Sequence, residues 1–304
     1  MLTATFLGTG AATPTIDRNV AGLAVQREGE MMLFDCGEGN QRQMMRYGVG
    51  FSFTEIFFSH YHADHILGVT GLLRTMGLQD RTAPVVLYGP RGAAKILGAA
   101  VSLGIERNKF PVEIREVRPG DRLARDEYDI AVFETEHRPD TVGYALVEHT
   151  RLGRFHPDRA RELGIPEGPL WGRLHKGETI VLEDGRSISP SDLVGPPRRG
   201  RTLVYSGDTR PHLELIQAAR GADLLIHEAT FGSDELERAK ETGHSTAAEA
   251  ARVAVEAGVR RLVLTHISPR YTRDAPELLA EARAIFPETV IARDGMVVDV
   301  PFPE

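Results

Sequence analysis

Short apolar runs alternate along the chain with longer segments in which apolar residues recur every three to four positions. The short runs predict strands, and the periodic segments predict helices. The predicted strands are Thr3–Leu7, Met31–Phe34, Ile56–Phe58, Val85–Tyr88, Val112–Val117, Tyr128–Glu134, Leu203–Tyr205, Leu224–Ile226, Arg261–Leu264 and Val290–Ala292. The predicted helices are Gln41–Tyr47, Ile66–Met76, Ala93–Leu103, Leu213–Ala219, Ala247–Ala257 and Ala275–Phe286. Strands that alternate with helices in this way predict a layered α/β protein.

The segment from about residue 150 to 200 departs from this alternation. Pro and Gly are frequent in it, and its apolar runs are short. We therefore expect a single domain over residues 1–304 from which this segment projects as an inserted arm. Residues 149–200 carry nine Lys and Arg against seven Asp and Glu, whereas the whole chain has a formal net charge of −7. The basic residues that we assign to the arm include Arg151, Arg154, Arg159, Arg173, Lys176, Arg198, Arg199 and Arg201.

Composition limits where the protein acts and what it binds. No stretch approaches the roughly 20 apolar residues of a membrane helix, so we expect no membrane association. The N-terminus lacks a basic n-region and is typical of a strand rather than of a signal peptide. Cys36 is the one cysteine, which excludes an intrachain disulfide and indicates a cytoplasmic protein. The net negative charge argues against a general nucleic-acid-binding protein.

Three histidines and an aspartate follow the predicted strand Ile56–Phe58 in the pattern His-x-His-x-Asp-His: His60, His62, Asp64 and His65. Imidazole and carboxylate groups are good zinc ligands, with bonds of about 2.0–2.2 Å. In a turn after a strand, side chains at alternating positions can converge on one point, while Asp64 and His65 can point to a second one. We therefore expect this one motif to serve two adjacent ions.

Three more candidate ligands follow predicted strands, at positions where sheets present functional loops: His137, Asp208 and His266. We expect His137 to join His60 and His62 at one ion, and His266 to join Asp64 and His65 at the other. Asp208 would bridge the ions, because a carboxylate can give one oxygen to each. This donor set predicts two Zn²⁺ per subunit, although Mn²⁺ or Fe²⁺ also suits these ligands.

This arrangement resembles the metallo-β-lactamase superfamily over nearly the whole chain. The resemblance implies an αβ/βα four-layer sandwich, in which two packed sheets are flanked by helices, with the metals at one edge. Two metal ions about 3.5–4 Å apart suit phosphodiester hydrolysis. Acyl-transfer enzymes of the superfamily share the histidine cluster, so the cluster alone does not select the substrate.

Further motifs resemble those of the ribonuclease Z family: Leu7–Gly10, Ser206–Pro211, His227–Thr230, Gly243–Thr246, His266–Tyr271 and Ala292–Gly295. The resemblance implies that His244, oriented by Glu228, protonates the leaving 3′ oxygen. It also implies that Asp64 accepts a proton from the attacking water. An alternative for Gly243–Thr246 is that Ser245 or Thr246 caps the next helix, with Glu249 completing a capping box. Both roles can hold, because capping does not require His244.

The same resemblance implies substrate contacts and an arm that holds the tRNA elbow. The residues to which it assigns substrate binding are Arg18, Asn19, Gly168, Pro169, Arg270, Tyr271 and Asp294. One departure is visible: the family loop Pro-x-Lys-x-Arg-Asn is here Pro14–Asn19, in which Ile16 replaces the lysine. This replacement bears on how a CCA end is read rather than on the chemistry.

The resemblance therefore implies a zinc-dependent endoribonuclease that removes the 3′ trailer from precursor tRNA and leaves a 3′-hydroxyl on the tRNA. It also implies a homodimer in which the arm of one subunit clamps tRNA that the other subunit cuts. One alternative is another two-metal phosphodiesterase or an arylsulfatase-like hydrolase of this fold, which would not need the arm. A second alternative is a metal-stabilised RNA-binding module without catalysis.

Overall fold

The structure is a computed structural model that describes residues 1–105, 107–138, 140–271 and 273–303. It divides into two compact units, of which the first combines Met1–Val147 with Arg201–Phe302 and the second contains Glu148–Gly200. The second unit starts within two residues of the predicted insertion and ends at the same position. Assigning Arg201 to the insertion was wrong, because this side chain belongs to the first unit and is only 2% exposed.

The secondary structure alternates much as the apolar pattern predicts. The strands are β1 (Leu2–Gly8), β2 (Gly22–Arg27), β3 (Glu30–Phe34), β4 (Glu55–Phe57), β5 (Val85–Gly89), β6 (Val112–Glu116), β7 (Arg122–Ala124), β8 (Tyr128–Glu134), β9 (Val142–Glu148), β10 (Ile180–Val181), β11 (Ser187–Ile188), β12 (Thr202–Tyr205), β13 (Leu224–Glu228), β14 (Leu262–Thr265), β15 (Thr289–Ile291) and β16 (Val297–Asp299). The helices are α1 (Asn40–Arg46), α2 (Ala63–Ile66), α3 (Gly68–Leu78), α4 (Ala93–Ser102), α5 (Pro157–Glu162), α6 (Pro169–His175), α7 (Leu213–Ala218), α8 (Leu236–Thr242), α9 (Ala247–Ala257) and α10 (Pro276–Ile285).

Two mixed sheets form the first unit. Among the described residues one sheet has the order β16-β1-β2-β3-β4-β5-β6, and the other has the order β15-β14-β13-β12-β9-β8-β7. Strands β3 to β6 run parallel, as do β12 to β15. Parallel strands end at the same edge of a sheet, where loops can place functional side chains next to one another.

Apolar side chains fill three layers of this unit. One cluster lies between the sheets and joins Phe34 and Phe57 of the first sheet to Tyr144 and Ile226 of the second. A second cluster packs α7, α9 and α10 against the second sheet, and a third packs α1, α3 and α4 against the first. The resulting order of layers, helix–sheet–sheet–helix, confirms the predicted four-layer α/β sandwich.

Helix α9 has the same bounds as the helix predicted there, and its caps explain both ends. Thr246 Oγ1 accepts from the backbone N–H of Glu249, and the Glu249 carboxylate accepts from the N–H of Thr246. This capping box satisfies N–H groups that have no partner within the helix. Gly258, with φ 64°, ends the helix in the left-handed conformation that glycine adopts without steric cost.

The second unit has a small apolar core of its own, formed by Ala160, Ile165, Leu174, Ile180, Ile188 and Leu193. Helices α5 and α6 each have a proline in the first turn, and β10 pairs with β11 in antiparallel fashion. Among the described residues of the whole chain, no helix combines the length and the apolar character that crossing a membrane requires.

Candidate metal centre and active site

Strand ends bring the candidate metal ligands together in the first unit. His60 lies three residues after β4, His137 lies three residues after β8, and Asp208 lies three residues after β12. His266 directly follows β14, and Glu228 is the last residue of β13. Because β12, β13 and β14 are adjacent parallel strands, their carboxyl ends present these side chains at one edge.

The first group of ligands is His60, His62, His137 and Asp208, whose donor atoms all lie within 4.8 Å of one another. His60 Nε2 and His62 Nδ1 are 3.0 Å apart, and His62 Nδ1 lies 3.2 Å from His137 Nε2. Asp208 Oδ2 is 3.5 Å from His60 Nε2. Ligands bound tetrahedrally to Zn²⁺ at 2.0–2.1 Å lie about 3.3 Å from one another, so this spacing fits one ion.

The second group is Asp64, His65 and His266. Asp64 Oδ2 and His266 Nε2 are 3.3 Å apart, and the Nε2 atoms of His65 and His266 are also separated by 3.3 Å. Asp208 reaches this group as well, with Oδ2 3.4 Å from His65 Nε2 and Oδ1 3.4 Å from His266 Nε2. Asp208 thus lies between the two groups, in the position that a bridging carboxylate occupies.

The surroundings of Asp208 favour a bound cation. Its side chain is buried, and Oδ1 has no hydrogen-bond partner among the described residues. An unpaired buried carboxylate oxygen is costly unless a cation satisfies it. Burial raises the pKa of Asp208, but the nearby His266, His65 and His60 outweigh this effect and hold its pKa well below the usual value.

Gly207 precedes Asp208 in the chain and has a φ of 60°. A Cβ at this position would lie 2.7 Å from Cβ of Ser59, so glycine allows the close approach of the two segments.

Four of the five histidines in these two groups direct one ring nitrogen toward the other ligands. Their second ring nitrogen lies within hydrogen-bond distance of an oxygen atom outside the two groups. The outward contacts are His60 Nδ1 to Ser59 Oγ (3.0 Å), His65 Nδ1 to Asp35 Oδ2 (2.8 Å), His137 Nδ1 to Gly243 O (2.8 Å) and His266 Nδ1 to Thr230 Oγ1 (2.9 Å). Such contacts fix the tautomer and orientation of metal-binding imidazoles.

Burial lowers the pKa of His60, His62 and His137 and so favours the neutral imidazole that binds metal. In the second group, burial raises the pKa of Asp64. A hydrogen bond from His266 and the charges of His65 and His266 outweigh that effect, so the pKa of Asp64 is lowered overall. The donor set, the spacing and the unpaired Asp208 oxygen together fit divalent metal ions.

Asp35 is a functional residue that the sequence analysis missed. It is fully buried, and its carboxylate accepts from the Ser59 N–H and Oγ (both 2.8 Å) and from the Tyr205 hydroxyl (2.7 Å) as well as facing His65. Its φ of 55° is uncommon for a residue other than glycine, and His266 has a similar φ of 56°. Such strain persists where the surrounding structure fixes a residue in position. An aspartate directly after the apolar run Met31–Phe34 was the available signal.

Glu228 and His244 form the pair that the resemblance implies. Glu228 Oε1 lies 2.8 Å from His244 Nδ1, and His244 Nδ1 lies 4.0 Å from Asp208 Oδ2. Burial lowers the pKa of His244, but the charge and hydrogen bond of Glu228 outweigh it and raise the pKa to about 9. Metal ions bound beside the ring would act in the opposite direction.

The loop that carries His244 is bonded to the turn that carries Asp208. Ser245 Oγ donates to the carbonyl of Thr209 (2.6 Å), and Arg210 Nη1 donates to the carbonyl of His244 (2.6 Å). Arg210 also forms a two-point ion pair with Glu249, the residue that completes the cap of α9. Both predicted roles of this segment are therefore compatible, since Thr246 and Glu249 form the cap and His244 faces the metal ligands.

Three of the residues assigned to substrate binding are held within the protein. Arg18 is 3% exposed and donates to Thr9 Oγ1 and to the carbonyls of Ala292 and Arg273. Asp294 accepts from Thr9 Oγ1, the Asn19 N–H and Gln43 Nε2. These bonds shape the segment Ala11–Arg18, and direct substrate contact by Arg18, Asn19 or Asp294 stays a prediction. Ile16 in this segment is fully exposed.

The remaining residues assigned to substrate binding lie in two places. Arg270 forms an ion pair with Glu235 and stacks over the Phe231 ring at 5.3 Å. The Tyr271 hydroxyl accepts from the Gly232 N–H (2.7 Å). Gly168 and Pro169 belong to the second unit, where Gly168 precedes the first turn of α6.

A cavity of about 540 Å³, here called the metal cavity, opens over the ligand groups. It is lined by His62, Asp64, His137, Asp208 and His266, together with His244. Arg138 and Arg238 add positive charge to its wall, which also includes the Arg270 that is paired with Glu235. This combination suits an anionic ligand that reaches the metal ligands and His244 at the same time.

Comparisons with known proteins agree with this geometry. The sequence profile described as "Beta-lactamase superfamily domain" matches residues 192–267, and the one described as "Anti-Pycsar protein Apyc1" matches residues 2–153. Ribonuclease Z of Gemmatimonas aurantiaca is 58% identical over 98% of this chain and 96% of that protein. Ribonuclease Z of Myxococcus xanthus is 55% identical over 99% of this chain and 98% of that protein. The crystal structure of human tRNase Z, short form, matches 99% of this chain and 100% of its own with a TM-score of 0.72 and 28% identity. The chain therefore belongs to the ribonuclease Z family.

Proposed function

We propose that this protein is an endoribonuclease that removes the 3′ trailer from precursor tRNA by cutting 3′ of the discriminator nucleotide. The observation that carries the proposal is the Glu228–His244 pair, with His244 Nδ1 4.0 Å from the Asp208 carboxylate. An acid beside a metal centre is what a phosphodiester with a poor alkoxide leaving group requires.

Two divalent cations, with Zn²⁺ favoured by the ligands, would be held by the two groups and bridged by Asp208. When bound, they would supply positive charge for the substrate phosphate and make water a better nucleophile. Asp64, the carboxylate of the second group, accepts the proton of the attacking water. The bond between phosphorus and the discriminator 3′ oxygen breaks as the bond from water to phosphorus forms.

His244 gives its proton to that leaving 3′ oxygen, so the tRNA ends in a 3′-hydroxyl and the trailer carries a 5′-phosphate. Glu228 orients the imidazole through Oε1, which also accepts from the Thr209 N–H (3.0 Å). Glu228 Oε2 accepts from the Thr230 N–H and Oγ1. Each carboxylate oxygen is thus fixed, and the histidine ring can hold one orientation.

The second unit supports recognition of a large RNA rather than of a small ester. It carries exposed basic residues, including Arg154, Lys176 and Arg199. We assign the second unit as the arm that binds tRNA by recognising its shape and its backbone phosphates. Gly168 and Pro169, at the start of α6, are among the residues assigned to this contact. Arg159 and Arg173 are paired with Glu162 and Glu178, but exposed ion pairs are weak and can exchange for phosphate.

The proposal includes a cytoplasmic homodimer. Cys36 is buried and is the one cysteine, which suits a reducing compartment. Light scattering on the purified protein would test the dimer, with a mass near twice 33.4 kDa expected.

The direct test is incubation of the metal-loaded protein with a 3′-extended precursor tRNA and mapping of both product ends. We expect a tRNA that ends in a 3′-hydroxyl at the discriminator nucleotide and a trailer with a 5′-phosphate. Cleavage at scattered sites, or hydrolysis of bis(p-nitrophenyl) phosphate without any cleavage of the RNA, would instead indicate another phosphodiesterase of this fold.

A further inference from the structure

A second polar cavity lies beside the metal cavity and has no role in the proposed chemistry. It has a volume of about 390 Å³ and is here called the arginine cavity. Its walls are formed by Thr15, Ile16, Asp17, Asn19, Gly39, Arg42, Gln43, Arg46, Tyr47, Arg273 and Asp294. None of these residues is among the metal ligands or the Glu228–His244 pair.

The arginine cavity is separated from the metal cavity by the loop Ala11–Arg18. Ala11 and Ala12 line the metal cavity, and the Ala12 N–H donates to Asp64 Oδ2 (2.8 Å). Thr15 to Asp17, later in the same loop, line the arginine cavity. The loop is closed at its base, where the N–H groups of Thr9 and Gly10 both donate to the carbonyl of Asn19. A polymer that leaves the metal cavity across this loop therefore enters the arginine cavity.

Three exposed arginines around this cavity have no carboxylate partner in the described parts of the chain: Arg42, Arg46 and Arg273. Arg42 and Arg46 are four residues apart on α1, so both project from one face of the helix. Like charges at this spacing destabilise a helix unless an anion lies between or above them. Guanidinium groups are well suited to phosphate, because their planar donors match two phosphate oxygens.

Local contacts position two of the three arginines, Arg273 and Arg46, at the cavity. Arg18 donates to the carbonyl of Arg273 (2.6 Å) and so fixes the backbone there. Tyr47 follows α1 and packs against Gly295, where a Cβ would lie 2.3 Å from its ring. The φ of Gly295 is 82°, in the left-handed region, so both the limited space and the backbone conformation favour glycine at this position. The Arg46 guanidinium lies over the Tyr47 ring at 5.5 Å.

Two carboxylates also line the cavity, and they differ in their effect on an anion. Asp294 accepts from Thr9, Asn19 and Gln43, so donors already surround its oxygens. Asp17 is exposed, and its carboxylate has no partner among the described residues. Asp17 therefore opposes an anion in the cavity, whereas the three arginines attract one.

We propose that the arginine cavity binds a backbone phosphate of the RNA, one that lies outside the bond being cut. The inference rests on the proposed function, because it assigns to the same RNA a second point of attachment across the loop Ala11–Arg18. Its ligand is a phosphodiester of single-stranded RNA that flanks the cleavage site.

The test compares Arg42→Ala/Arg46→Ala/Arg273→Ala with the wild-type protein on a 3′-extended precursor tRNA. We expect kcat/KM to fall about tenfold or more, since a hydrogen bond to a charged group contributes at least that factor. Hydrolysis of bis(p-nitrophenyl) phosphate should stay unchanged. Asp17→Asn should raise kcat/KM on the RNA, because it removes the opposing charge. The matched control Arg220→Ala/Arg252→Ala, whose arginines line neither cavity, should have no effect on either substrate.

Salt dependence and substituted RNAs locate the bound phosphate. In the triple variant, the slope of log(kcat/KM) against log[salt] should be shallower by about 0.7 for each phosphate that is no longer neutralised. A methylphosphonate at one linkage near the cut should lower kcat/KM in the wild type and have no further effect in the triple variant. If no linkage behaves this way, or if the Arg220/Arg252 control loses as much activity, the inference is wrong. If the wild type does not cut precursor tRNA, the proposed function itself fails.

Discussion

The metal cavity and the arginine cavity lie on two sides of one loop, but their charged groups are held in opposite ways. At the metal cavity Asp208 is buried, and its Oδ2 lies 3.5 Å from Nε2 of the buried His60 and 3.4 Å from Nε2 of the buried His65. In the arginine cavity Arg42 and Arg46 are exposed, and neither forms an ion pair with a carboxylate among the described residues. Chemistry requires groups whose positions are fixed before the substrate arrives. Attachment of a polyanion requires charge that is free to be neutralised.

The largest expected effect comes from the metal cavity. Asp64→Ala removes both a ligand oxygen and the proposed proton acceptor, so kcat should fall by about a thousandfold or more. Binding of precursor tRNA should be retained, because the arginine cavity and the second unit are unchanged. Filter binding and single-turnover cleavage measure the two properties separately. Glu214→Ala, an exposed carboxylate on α7, is the control and should not alter either one. Loss of RNA binding in Asp64→Ala would contradict the separation of chemistry from attachment.

His244→Ala should have the next largest effect, and its size should depend on the leaving group. On precursor tRNA, loss of a general acid lowers kcat by about 10²–10⁴-fold. On bis(p-nitrophenyl) phosphate the loss should be much smaller, because p-nitrophenolate leaves without a proton. His212→Ala changes a nearby histidine that lines neither cavity and serves as the control. An equal loss on both substrates would show that His244 acts in some way other than as an acid.

Deletion of Thr150–Gly200, joined by a short Gly-Ser linker, removes almost all of the second unit. We expect kcat/KM for precursor tRNA to fall by at least about a hundredfold, because the deletion removes many phosphate-binding residues together. The metal cavity belongs to the first unit, so hydrolysis of bis(p-nitrophenyl) phosphate should continue at the wild-type rate. Equal retention of both activities would remove the argument for a tRNA-binding arm.

The sequence indicated which candidate ligands lie together more directly than it indicated every strand around them. His60 to His65, His137, Asp208 and His266 follow apolar strands, and such strand ends are local signals that need no knowledge of distant contacts. The strands β2 and β9 were not predicted, because a glycine at or near the start of each, Gly22 and Gly143, weakens the apolar run that indicates a strand. Strand β16 has only three residues, too few for a pattern.

Features set by distant contacts could not be predicted from the sequence. Asp35 acquires its role from Ser59, His65 and Tyr205, which are 24 to 170 residues away. The hydrogen bonds of the Arg18 side chain to the carbonyls of Ala292 and Arg273 were not expected, and its contact with substrate stays a prediction. Helices α5 and α6 were also missed in a segment rich in Pro and Gly. A proline in the first turn of each was a usable signal, because proline is favoured there.

We propose that two divalent cations bind between the two halves of the first unit, with Asp208 shared by both. Elemental analysis by mass spectrometry after dialysis measures the number of bound ions in the wild type, Asp208→Ala and His244→Ala. We expect two ions per chain in the wild type and in His244→Ala, and fewer than two in Asp208→Ala. A wild-type chain that holds one ion or none, or an Asp208→Ala chain that keeps both, would contradict the proposal.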